Sequence, residues 1–550
     1  MNGLKPQLLL SLRNYSKEDF IKDLIAGIIV AIIALPLSIA LALASGVSPE
    51  QGLYTAIVAG FIISAFGGSK VQIAGPTAAF ATIVAGVVAR NGMDGLAVAT
   101  ILAGLILIVM GVLRMGSMIR FIPYTITTGF TAGIAITIVI GQIKDFLGLT
   151  FQTSPIETMD KLEQVVTCIG TTNYSALIVG GIALVILFLW PKISKTIPSS
   201  LVAVLVTAAM VKLMHMPVNT IGDLYTISSA APAFHLPSIS YDTVAAVLPD
   251  AFTIAILAAI ESLLSAVVAD EMIGANHNSN MELVAQGLGN TASALFSGIP
   301  ATGAIARTAA NIKNGGRSPI AGMVHAIVLL LVLVLLMPYA ALIPMPCIAA
   351  ILFQVAYNMS GWRTVVHVIK TAPKSDIAVL IITFLLTVVF DLVVAIVVGL
   401  TLACLLFMKR MADESHVKEW DYVEDTSDDQ GRLKPVPAHV MVYEIIGPMF
   451  FGAADKIPHL DASADKKVLI LRMKAVPAMD VTALNSLARL WLECYQEGIH
   501  VVFSHVNEQP MSVFRKAGFI DKAGEENFQP NIDAALERAI FLENQALVKN

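Results

Sequence analysis

Long stretches without a charged side chain constrain this chain more than any other feature. They span residues 24–49, 52–69, 71–89, 95–113, 121–143, 174–190 and 197–211 in the first part. Further on they span 251–260, 283–306, 318–362 and 377–408, the last interrupted only by Asp391. Hydrocarbon does not solvate charge, and a spanning helix needs about 20 apolar residues, so these stretches predict membrane crossings. Several are long enough for two. The first runs well past the apolar core of a signal peptide, with no small-residue cleavage site at its end, and reads as a transmembrane helix. Composition agrees: only 14% of residues are charged, against about 25% in soluble domains. A net charge of −5 provides no basic footprint for nucleic acid. The four cysteines are scattered, with no disulfide framework and no metal-ligand spacing.

Lysine and arginine placement predicts orientation. With a cytoplasmic N-terminus and about fourteen crossings, the inside loops hold Lys70, Arg114, Arg120, Lys192, Lys195, Lys313, Arg317, Arg363, Lys370, Lys374, Lys409 and Arg410. The outside loops hold only Arg90, Lys144, Lys161 and Lys212. That asymmetry predicts that both termini are cytoplasmic. Residues 1–411 then form the membrane domain, 412–436 an acidic linker, and 437–550 a small cytoplasmic domain. In the last of these, strand-like and helix-like segments alternate, as in an α/β fold.

Two apolar segments are interrupted. VQIAGPTAAFATIVAGVVA (71–89) and GIPATGAIARTAA (298–310) each place Pro and Gly before a short helical run. Each should be extended first and helical afterwards. Pro76 and Pro300 are 224 residues apart, and Ser38 and Glu261 are 223 apart, which suggests two related halves. The plainer reading is two ordinary kinks. If the breaks line a cavity, they mark a transport site. Thr77, Ala78 and Ala79 would then face Thr302, Gly303, Ala304 and Ile305, and two positive helix ends would favour an anion. Glu261 and Arg307 are isolated charges in apolar surroundings, and such groups are functional by default. Arg307 suits an anion pocket. Glu261 suits a protonatable group, or a cation ligand together with Ser265 one turn on. The alternative is a buried Glu261–Arg307 ion pair that only holds helices together. Asp23 and Asp391 read as caps, and His325 as a packing histidine. No enzyme motif, cofactor fingerprint or metal cluster is present.

These motifs carry a resemblance. LPLSIALALASGVSPEQGLYTAIVAGF, GGSKVQIAGPTAAF and GIPATGAIARTAANIKNGGRSPIAG resemble the SulP (sulfate permease/prestin-type) anion transporters, and the tail resembles their STAS domain. IESLLSAVVADEM, HNSNMELVAQGLGN and FDLVVAIVVGLTLACLLFMKR are most similar to the family's bacterial dicarboxylate-transporting members. The resemblance implies an all-α membrane domain of fourteen segments in two inverted seven-segment repeats, divided into core and gate domains. It implies an elevator-like mechanism, a homodimer in the bacterial inner membrane, and possible cytoplasmic protein partners of the STAS domain. The substrate position falls on Thr77–Ala79 and Gly303–Ile305, with Arg307 beside it. Sodium-coupled relatives carry Asp and Thr where this chain has Glu261 and Ser265, which favours protons here. The leading expectation is therefore proton-coupled uptake of a four-carbon dicarboxylate such as succinate or fumarate. Rivals are a sulfate or bicarbonate carrier, possibly sodium-driven, and, in a different class, an anion channel or a STAS-linked sensor. In the tail, Asp480 and Thr482 fall where soluble relatives carry a phosphorylated hydroxyl, although Asp and Thr are also ordinary helix caps.

Overall fold

Among the described residues, seven main helices can be assigned to each half of the membrane region. The first half contains α1 (Lys17–Ala44), α2 (Pro49–Phe66), α3 (81–91), α4 (93–112), α5 (Tyr124–Leu147), α6 (Tyr174–Ile193) and α7 (Ser199–Met214). The second contains α8 (Tyr241–Ile273), α9 (Ser279–Leu295), α10 (Ile305–Lys313), α11 (Ile320–Ala340), α12 (Met345–Ser360), α13 (Lys374–Val389) and α14 (Leu392–Glu414). The computed structural model describes residues 4–117, 123–153, 155, 157–194, 197–390, 392–420, 422–424, 433–456 and 466–548. Arg120, Lys195 and Asp391 lie outside the described residues, as do Asp425, Asp428 and Asp429 of the acidic stretch.

Local chemistry sets the helix ends. Ser16 and Asp19 form a reciprocal capping box at the start of α1. The helices α5 and α8 stop at Gly148 and Gly274, both at φ 63°. Gly92, at φ 68° and ψ −172°, separates α3 from α4. Small residues let helices approach closely: a side chain on Gly104 or Gly287 would run into the facing backbone where α4 meets α9. The charge-free stretch 318–362 does divide into two helices, α11 and α12, as its length allowed.

The chain separates into two units, Met1–Leu400 and Thr401–Asn550. In the second, β3 (His416–Glu419), β4 (Val440–Ile446), β5 (Val468–Ala475), β6 (His500–Ser504) and β7 (Phe528–Gln529) form one sheet in chain order. Only β3 is antiparallel to its neighbour. Helix α15 (Val481–Gln496) packs its apolar face on one side and α16 (Ile532–Val548) on the other. The stretch read as a linker therefore supplies a strand. Directly after that strand, the Trp420 ring lies 5.3 Å from both Lys418 and Arg472. Its acidic composition concealed a segment held by backbone pairing.

Candidate functional site

The two interrupted segments meet. Ala74–Gly75 (β1) pairs antiparallel with Thr302–Gly303 (β2), Ala74 opposite Gly303 and Gly75 opposite Thr302. Strands of two residues cannot hold themselves, and side chains brace them from several helices. Asn290 of α9 accepts from Ala301 N–H at 2.8 Å and donates to its carbonyl at 2.9 Å. Asn311 of α10 donates to the Val71 carbonyl at 2.9 Å. Thr308, also on α10, accepts from Ile73 N–H at 3.0 Å.

A helix starts from each strand. Thr77 precedes a single turn, Ala78–Phe80, which continues into α3, and Ala304 precedes α10. The expected ring of free backbone donors is only partly present. Gly303 N–H donates to Ser262 Oγ at 3.0 Å, and Ala304 N–H to the Ile73 carbonyl at 2.8 Å. The first of these groups is spent within the second half, and the second joins the two halves. On the second side the unpaired donors belong to Ile305 and its successor Ala306, both exposed in the first turn of α10. On the first side they belong to Ala78 and Ala79, which are buried.

Glu261 and Arg307 form no ion pair, so the structural-brace alternative falls. Thr77 Oγ1 donates to Glu261 Oε2 at 2.9 Å. Arg307 is 3% exposed, and its Nη2 donates to the Pro76 carbonyl at 2.6 Å. Its Nη1 lies under Gly75, where a Cβ would come within 2.4 Å of it and displace the guanidinium. Arg307 thus sits behind β1, between the two helix starts. Ser265 is buried and 3.4 Å from Thr308 Oγ1, so it braces α10 and makes no contact with Glu261. Thr302 is likewise interior: its hydroxyl accepts from Ser262 Oγ at 3.1 Å.

Other residues depart from the reading of the sequence. His325 is fully buried, and neither ring nitrogen has a hydrogen-bond partner among the described residues. It is not a satisfied packing histidine. Asp23 does not cap a helix: it lies inside α1, which Ser16 caps, and accepts from Arg317 N–H at 2.8 Å, Ser318 N–H at 3.2 Å and the Ser318 hydroxyl in the loop before α11. Tyr15 also donates to it at 2.8 Å; burial and that bond push the Tyr15 hydroxyl pKa up. No cluster of potential metal ligands occurs among the described residues.

Sequence reasoning missed the stripe on α9. Glu282, Gln286 and Asn290 recur every fourth residue, and all three are fully buried. Polar groups at that spacing on one face of a membrane helix are the available signal, since each must find a partner. In the tail, Asp480 is an N-cap: Oδ1 accepts from Ala483 N–H at 2.9 Å and Oδ2 from Phe451 N–H at 3.0 Å. Thr482 is exposed on the first turn. Burial pushes the Cys494 thiol up to about 12, so it packs as an apolar group.

Known proteins share this arrangement of domains. Residues 20–383 match the sulfate permease family and residues 433–535 the STAS domain. YvdB of Bacillus subtilis, a candidate sulfate transporter, is 40% identical over 524 residues, covering 94% of this chain and 97% of YvdB. The bicarbonate transporter BicA of Picosynechococcus sp. is 34% identical over 482 residues, 84% of either chain. The solved murine Slc26a9 anion transporter has the same fold, with a TM-score of 0.88 at 20% identity, over 98% of this chain and 94% of that one. The chain belongs to the sulfate permease family, with a STAS domain after its membrane helices.

Proposed function

We propose that this protein is a secondary active anion transporter whose substrate binds between the starts of α3 and α10. The supporting observation is the antiparallel β1–β2 pair, which brings two helix N-termini together with a buried guanidinium behind them. Helix ends with unpaired N–H groups attract anions without a cationic side chain in the pocket. Glu261 bonds to the first helix start through Thr77 and is the candidate proton carrier. A neutral Glu261 removes a negative charge beside an anion, so proton binding and substrate binding favour each other. Movement by an elevator-like displacement of a core domain, a homodimer in a bacterial inner membrane with cytoplasmic termini, and protein partners for the STAS domain complete the proposal.

For the substrate, the motif resemblance favours a four-carbon dicarboxylate such as succinate or fumarate. Sulfate or bicarbonate is the second reading, favoured by the identity to YvdB and BicA over most of the chain. Backbone donors bind carboxylate, sulfate and bicarbonate alike. Uptake of labelled sulfate, bicarbonate and succinate into proteoliposomes, under proton or sodium gradients, separates these readings. Proton-driven succinate accumulation supports the first. Accumulation of an inorganic anion alone supports the second, and the absence of any flux overturns the transporter.

A further inference from the structure

The α9 stripe reaches the site itself. Glu282 accepts from Gly68 N–H at 2.9 Å, Ser69 N–H at 3.2 Å, Gln72 Nε2 at 3.0 Å and Gln286 Nε2 at 2.9 Å. Four donors on one carboxylate make it a fixed anchor, because its lone pairs are all engaged. Gln72, from the first half, meets both that anchor and β2 of the second half. Its amide fills the space beside Gly303, where an added Cβ would lie 1.9 Å from Nε2. Gly303 is paired with Ala74, two residues beyond Gln72. The amide is therefore wedged between an immobile carboxylate and the strand that leads into α10.

We propose that Gln72 and Glu282 are positioning residues that set the separation of the two helix starts, and through it which anion fits. The inference rests on the anion-site reading above. The donors at those starts belong to the backbone, so side-chain choice at the pocket cannot adjust their spacing. The two-residue strands are too short to hold it alone. Asn290 and Asn311 hold the backbone on either side of the pair, at Ala301 and Val71. Gln72 spans the gap between the two strands from behind.

Gln286 provides an internal control. It donates to the same Glu282 oxygen as Gln72 does, from one turn along α9, and the atoms nearest a Cβ on Gly303 belong to Gln72 instead. Gln72→Met and Gln286→Met each remove one donor from that oxygen. Purified full-length variants are compared in proteoliposomes for apparent KM, for the succinate-to-sulfate-to-bicarbonate uptake ratio, and for melting temperature. Gln72→Met should raise KM about five- to tenfold, the loss of roughly one hydrogen bond's worth of binding, and change the uptake ratio. Gln286→Met should lower melting temperature and leave KM and the ratio near wild type. If Gln72→Met does not fold, Gln72→Asn shortens the wedge by one methylene and is read the same way. Equal KM and ratio in both variants, with only melting temperature lowered, would overturn the inference. Arg307→Ala in the same assay distinguishes the two failures. A raised KM there with normal Gln72 variants removes only the positioning role; wild-type KM in Arg307→Ala and the Gln72 variants removes the anion site with it.

Discussion

At the first break the chain enters its helix through Thr77 and a tight turn, with Ala78 5% and Ala79 0% exposed. At the second it enters α10 directly, with Ile305 42% exposed and Ala306 open beside it. The bracing also differs in sign. Thr77 reaches a carboxyl of the second half, Glu261, whereas the guanidinium of Arg307 reaches the carbonyl of Pro76 in the first. Two segments that look equivalent in sequence thus do different work. One end is closed and tied to the proton-carrier candidate; the other is open and carries the positive charge.

Glu261→Gln tests this difference with the largest expected effect. It imitates the neutral carboxyl, so substrate should still bind while proton-driven accumulation disappears. Wild-type uptake should rise as the external pH falls, because protonation removes a negative charge beside the anion. Uptake against pH in both proteins is the measurement. A variant that accumulates substrate with the wild-type profile breaks the assignment of coupling to the first end.

Arg307→Ala should weaken apparent affinity by about 10- to 100-fold, because the site loses a nearby buried positive charge. Unchanged affinity would mean that the second end gains nothing from its cation. The two threonines sharpen the contrast. Thr77→Val should reduce uptake a few-fold and flatten its pH dependence, because it removes the donor to Glu261. Thr302→Val should cost about 1 kcal/mol of stability, typical of one buried hydroxyl bond, and change the pH dependence less than Thr77→Val does, because the Thr302 hydroxyl is shared with Ser262 and Gly303. Similar pH profiles in the two variants would erase the distinction. The smallest effect on the site belongs to the tail: deleting residues after Pro437 should lower expression or melting temperature without altering the ranking of substrates. A changed ranking in the truncated protein would contradict a pocket built only from membrane segments.

Much of this is legible in the sequence. Charge-free stretches located the helices, because hydrocarbon excludes charge whatever the tertiary arrangement. Pro76 and Pro300 located the breaks, because proline removes a donor locally. The isolation of Glu261 and Arg307 along the chain marked them as costly and therefore purposeful. Other features were hidden. Glu282 lies among apolar residues but next to a charge-free stretch rather than inside it, so the same search passed over it. The strand at His416–Glu419 was masked by acidic neighbours, because its stability comes from pairing with Val440–Ile446 and not from its own residues.

The sequence by itself determined where the chain crosses hydrocarbon, where its helices break and which charges lie at membrane depth, since each follows from solvation or backbone chemistry within a few residues. Only the tertiary structure decided which backbone donors remain unpaired. Gly303 and Ala304 lose theirs to Ser262 and Ile73, and Ser265 turns to Thr308 rather than Glu261. A hydrogen bond is specified jointly by both partners, and here those partners lie from 41 to 231 residues apart.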